Sequence, residues 1–183
     1  MSDWRLTTHN AVLVIVDVQE KLMAVMPRRD EVVAGIKKLA AAAKILDLPV
    51  LVTTQYTKAI GQTLAEVTEA AGTSTTMDKM TFSCCGHEEF VRALKDQRRQ
   101  RVIICGVEAH VCVQQTVIDL MNAGYFVYVT ADAVCSRRDL DRDVAIERMR
   151  DCGAVITTVE SALFEMLREA GTPLFKACLP LFK

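Results

Sequence analysis

Long apolar runs, a surplus of charge, glycine-rich phosphate loops and paired cysteines are all missing from this 183-residue chain, and each absence removes a class of function. No stretch approaches the roughly 20 consecutive apolar residues of a membrane helix. The opening "MSDWRLTTHN" has no apolar core of a secretory signal. A cytoplasmic protein with no membrane partner is therefore expected. Twenty-two basic residues against 23 acidic ones leave a formal net charge of −1, without the basic stripe that binds nucleic acid, so no nucleic-acid partner is expected either. No G-x-G-x-x-G follows a strand-like run and "GQTLAEV" lacks the lysine of a P-loop, which disfavours dinucleotide and nucleotide sites. The seven cysteines are odd in number and have no C-x-x-C spacing, which fits neither a disulfide framework nor a structural zinc site. They are read as reduced thiols. Linkers, low-complexity tracts and long repeats are also lacking, so residues 1–183 are expected to form one domain.

What is present is an alternation of two periodicities. "AVLVIVD" (11–17) is a continuous, β-branched apolar run, the pattern of a strand covered on both faces. From Arg28 to Leu46 the spacing changes: Val32, Ile36, Leu39, Ala43 and Leu46 share one face of a helix, and Pro49 then opens the strand "VLVTTQ". The unit recurs as "RVIICGVE" followed by "VQQTVIDLMNAG", with Gly124 as a C-cap. It recurs again as "YFVYVTADAV" with a helix near 139–151, and as "AVITTV" with "SALFEMLREAG". Strands alternating with helices predict a three-layer α/β/α sandwich around a mainly parallel sheet. The stretch 57–82 is less legible. It holds a short helix near "TLAEVTEAAG", and "TSTTMDKMTFS" is either a loop or an edge strand.

In an open parallel sheet, ligands bind beyond the carboxyl ends of the strands. Asp17, Gln55, Tyr56, Cys112 and Asp132 all fall near predicted strand ends and are expected to converge there. A thiol in the first turn of a helix lies near unpaired N–H groups, so Cys112 is expected to have a lowered pKa and to favour the thiolate. Cys105, Cys135, Cys152 and Cys178 are read as small apolar residues. Asp17 is either a proton acceptor or a cap. Lys79 is either a solvated loop residue or, beside Asp17 and Cys112, the cation that holds both in their charged forms. His110 stands two residues before Cys112, a spacing that does not face it on a helix, so it lines the pocket or the surface rather than acting as a base. "RRDLDRD" (137–143) reads as a solvated helix start.

These residues resemble the isochorismatase-like hydrolases, also called cysteine hydrolases, over nearly the whole chain. "AVLVIVDVQEKL" is similar to the family's first strand, "DKMTFSCC" to its lysine segment and "ICGVEAHVCVQQTVIDLMNAGY" to its nucleophile turn. "VTADAVCSR" and "RMRDCGAVITTVESALFEML" also match. "GVEAHVC", "TKAIGQT" and "TPLFKACLPLFK" most resemble the isochorismatase domain-containing proteins. The resemblance implies Cys112 as nucleophile, Asp17 as general base and Lys79 as the supporting cation. It also implies a non-proline cis peptide between Val107 and Glu108 and an oxyanion hole of the Glu108 and Cys112 backbone N–H groups. Amide or imide C–N cleavage of a small molecule through a thioester follows. Tyr56, Phe82 and His110 are expected to line the pocket. The family's nicotinamidases carry a metal site with histidines after the second strand, where this chain reads "TTQYTKAIGQT", so no metal and no other cofactor is expected. Two alternatives stand beside this reading: a vinyl-ether hydrolase using Asp17 as the acid, and a non-catalytic oligomeric ligand-binding protein. The tail would expose Leu174, Phe175, Leu179, Leu181 and Phe182 if uncovered, and the family forms oligomers, so a homo-oligomer of unspecified size is expected.

Overall fold

In the computed structural model, which describes residues 4–73 and 75–182, the first apolar run is strand β1 (Ala11–Val16), buried at every position. Met1 to Asp3, Ser74 and Lys183 belong to the amino-terminal segment, the 57–82 stretch and the apolar tail, and lie outside the described residues. Side chains of β1 alternate between two cores: Leu13 and Ile15 enter one, Val12, Val14 and Val16 the other. That two-sided burial explains a strand without polar alternation.

The chain continues through α1 (Glu20–Met23), α2 (Arg29–Ile45), β2 (Val50–Gln55), α3 (Thr57–Ile60), α4 (Ala65–Ala71) and β3 (Met77–Lys79). A 3-10 turn (Cys84–Gly86), α5 (Glu88–Asp96) and β4 (Arg101–Val107) follow, then a π turn (Ala109–Val113) that runs into α6 (Gln114–Asn122). The remainder is β5 (Phe126–Cys135), α7 (Asp139–Asp151), β6 (Val155–Thr157), α8 (Val159–Leu167), α9 (Pro173–Cys178) and a final 3-10 turn (Leu179–Phe182). All strand pairs are parallel and the sheet order is β3-β2-β1-β4-β5-β6. One core packs Val32, Ile36 and Leu39 of α2, Val67 of α4 and Leu163 of α8 against the sheet. The other packs Phe90 of α5, Val117 of α6 and Met149 of α7. This is the expected three-layer sandwich, with "MDK" of the illegible stretch as its edge strand β3.

The order reverses between β1 and β4, the switch point beyond whose carboxyl ends open α/β sheets place their ligand crevice. Asp17 follows β1, and the π turn with Cys112 follows β4. Asp132 does not reach this crevice, contrary to expectation. Opposite the two-residue step from Ile104 to Gly106, β5 takes five residues, from Val129 to Val134. The bulge reverses the strand's facing: Tyr128 and Ala133 enter the first core, Val129 and Val134 the second. Within it Asp132 is exposed, and its Oδ1 accepts a hydrogen bond from Val159 N at 2.9 Å, capping α8 instead.

Two further expectations change. The last predicted helix starts earlier, at Val159 with Thr158 as its N-cap, and stops at Leu167, where Arg168 turns to φ 67°. The apolar tail is largely covered by its own chain. Phe175, Leu181 and Phe182 pack on the first core, with Phe164 against the rings of Phe175 and Phe182, while Leu174 stays exposed. The tail therefore gives little argument for self-association.

Gly106 lets β4 pass close to β1. Its φ is 119°, and a Cβ built there would stand 2.1 Å from the Val16 carbonyl oxygen. Gly106→Ala is expected to cost about 4 kcal/mol or more, or to prevent folding, in urea denaturation; wild-type stability would contradict this account of the strand crossing.

Candidate active site

Asp17 lies one residue past β1 in a left-handed conformation, φ 53°, and is fully buried. Its backbone N–H donates to the Thr53 carbonyl at 3.1 Å, which ties it to the end of β2. One carboxylate oxygen, Oδ2, meets Lys79 Nζ at 2.7 Å, and both side chains are 0% exposed. The other, Oδ1, accepts from Thr53 Oγ1 at 2.8 Å. Lys79 ends the edge strand β3, and its Nζ also donates to Gln55 Oε1 (2.8 Å), Thr81 O (3.2 Å) and Phe82 O (3.0 Å). A buried ion pair survives desolvation only with such supplementary hydrogen bonds.

Cys112 is 5% exposed and sits in the π turn, where Val113 N donates to Glu108 O at 3.2 Å. The peptide bond between Val107 and Glu108 is cis. The thiol lies within electrostatic reach of the Asp17 carboxylate and the Lys79 ammonium. Here the structure corrects the sequence reading: the thiol's pKa is raised, first by burial and then by the negative charge of Asp17, with Lys79 only partly opposing them. The helix start does not win, because the sulfur is out of water and faces a carboxylate. At neutral pH the resting sulfur is a thiol.

Asp17, Lys79 and Cys112 are thus brought together. Tyr56 and Phe82 flank them, 42% and 54% exposed; Tyr56 N donates to Lys79 O at 3.0 Å, and Phe82 offers its carbonyl to Nζ. His110 lies in the π turn two residues before Cys112, its Nδ1 2.9 Å from Ser136 Oγ and 3.5 Å from Glu108 Oε2. Five participants were not anticipated in these roles. Glu108 is a nearly buried carboxylate paired with Arg137 Nε at 2.9 Å. Gln19 is buried, and its Nε2 donates to Gln55 O (3.1 Å) and Gly61 O (2.7 Å). Thr53 and Gln55 hold the ion pair. Cys84 is a second buried thiol, 3.7 Å from Thr53 Oγ1, pushed up to about 11 by burial and then by Asp17. The available signal was "VTTQ", three polar residues closing a strand whose pattern demanded burial. Among the described residues, no group of three or more His, Cys, Asp and Glu side chains is arranged to hold a metal ion.

The model of the Isochorismatase domain matches residues 11–161. The chain belongs to the isochorismatase family. It is 42% identical over 98% of its length, and 87% of the relative's, to the secreted isochorismatase effector Isc1 of Phytophthora sojae (strain P6497). Among solved structures, the MAR1 ribonuclease of Caenorhabditis elegans superposes with TM-score 0.91 at 36% identity, covering 97% of this chain and 91% of that one. The YcaC gene product of Escherichia coli, titled an octameric hydrolase of unknown specificity, superposes with TM-score 0.91 at 26% identity, covering 97% and 89%. The protein is an isochorismatase-family hydrolase.

Breaking one side of the buried pair leaves an uncompensated charge. Lys79→Met is expected to cost about 3–5 kcal/mol in urea denaturation. The double variant Asp17→Asn/Lys79→Met should cost clearly less than the sum of its singles; strict additivity would show that the two side chains are not energetically coupled.

Proposed function

We propose that this chain, acting as one domain over residues 1–183, is a metal-independent cysteine hydrolase that opens an amide or imide C–N bond of a small molecule through a thioester on Cys112. The observation that carries this reading is the buried Asp17–Lys79 ion pair, 2.7 Å apart, with the Cys112 thiol close enough to feel both charges. Asp17 takes the thiol proton as sulfur attacks the carbonyl carbon. The backbone N–H groups of Glu108 and Cys112 receive the oxyanion. The C–N bond breaks, and Asp17 returns the proton to the leaving nitrogen. A water, deprotonated by Asp17, then attacks the thioester and releases the acid and the free thiol. Lys79 takes no proton-transfer step: its three N–H bonds face four protein acceptors, so it serves as a permanent cation. Tyr56, Phe82 and His110 line the substrate's entry.

The vinyl-ether alternative needs Asp17 Oδ2 or Oδ1 free to deliver a proton, whereas the structure engages them with Lys79 Nζ at 2.7 Å and Thr53 Oγ1 at 2.8 Å. The ribonuclease name of one structural relative and a purely binding role remain as outcomes of the test. No helix among the described residues is long and apolar enough to cross a membrane. The reduced cysteines support a cytoplasmic site of action, although one relative is named as secreted. Self-association as a homo-oligomer fits the octameric relative and the exposed Tyr56, Met80 and Phe82 near the site.

The test is a screen of small amides, imides, hydroxamates, a vinyl ether and a short RNA against wild type and Cys112→Ala. Amide or imide turnover that falls at least about 10³-fold in Cys112→Ala is expected. Turnover of the vinyl ether that survives alkylation of Cys112, or RNA cleavage independent of Cys112, would replace the reading.

A further inference from the structure

We infer that Thr53 and Gln55 are positioning residues for this site, Thr53 orienting Asp17 and Gln55 orienting Lys79; the inference rests on the hydrolase reading for its consequence in turnover. β2 lies between the strands that deliver the two charges. Thr53 pairs in register with Val16, the residue before Asp17, and Gln55 pairs with Lys79 itself. Residues two apart on a strand point to the same side, so β2 offers two adjacent polar groups to the same buried space.

The hydrogen-bond directions leave little freedom. Thr53 has one hydroxyl proton, and it goes to Asp17 Oδ1 at 2.8 Å. The Gln55 amide is oriented from its other end: Nε2 donates to Met80 O at 2.9 Å, which turns Oε1 toward Lys79 Nζ at 2.8 Å. The Gln55 backbone is held in turn by Gln19, whose Oε1 accepts from Gln55 N at 2.7 Å while Nε2 donates to Gln55 O at 3.1 Å. Thr53 thus stabilises the ionised carboxylate and Gln55 keeps the ammonium beside it. The remaining capacity of Asp17 is left facing the Cys112 thiol.

The test is the pH profile of iodoacetamide labelling of Cys112 in the full chain, read by mass spectrometry with the exposed Cys152 as internal reference. Thr53→Val is expected to slow labelling at fixed pH by about fivefold or more, because the carboxylate that takes the thiol proton is no longer oriented. Thr53→Ser should restore the rate. Gln55→Leu should move the basic limb up by about one pH unit, because the cation that favours the thiolate is no longer held. A merely structural role changes thermal stability and leaves both the rate and the limb unchanged. Should Thr53→Val fail to fold, Thr53→Ala gives the same reading. Folded variants of both positions with the wild-type labelling rate and basic limb would overturn the inference. Labelling needs no substrate, so this failure is distinct from a screen in which Cys112 proves dispensable for turnover.

Discussion

Everything at the site follows from one constraint: a carboxylate and an ammonium are held out of water, 2.7 Å apart, at the edge of a hydrophobic sheet. Water would solvate either charge alone far better than the protein interior does, so the surrounding backbone must supply what water would have given. The short edge strand β3 exists to deliver Lys79, and the carbonyls of Thr81 and Phe82 turn back onto its ammonium. The left-handed turn at Asp17 and the polar close of β2 serve the same end.

The same constraint explains why the sulfur rests as a thiol. A carboxylate that must remain ionised to accept a proton also disfavours a second negative charge beside it. Deprotonation of Cys112 is therefore cheap only when the proton moves onto Asp17 itself, which leaves one negative charge shared by the pair. In the proposed mechanism this couples thiolate formation to the attacking step. In that mechanism the two partners of the ion pair take separate parts: Asp17 exchanges protons, and Lys79, engaged by four protein acceptors, supplies charge alone.

Much of the architecture was legible in the sequence. β1 and β4 read as strands because their apolar runs were too short for helices and too continuous for one-sided burial, and α2 and α7 were placed within one residue. The segment 57–82 resisted reading because β3 is three residues long and is recognised by its partner β2 rather than by its own pattern. Asp132 was misplaced because the bulge in β5 depends on pairing with β4 and carries no local signal. At the site, Asp17, Lys79 and Cys112 followed from strand ends and family resemblance, whereas the state of the sulfur did not. A helix start argued for a thiolate, but burial and a facing carboxylate are tertiary facts, and they dominate. Thr53 and Gln55 stood in plain view as polar residues ending a buried strand, without anything local to say which charges they served.

The most direct measurement is the basic limb of Cys112 labelling in Asp17→Asn, compared with wild type. If the carboxylate holds the sulfur protonated and Lys79 holds the carboxylate, removing the negative charge leaves the ammonium to pair with sulfur. The limb should then move to lower pH while turnover is lost. A limb that stays in place, or moves to higher pH, would contradict the account.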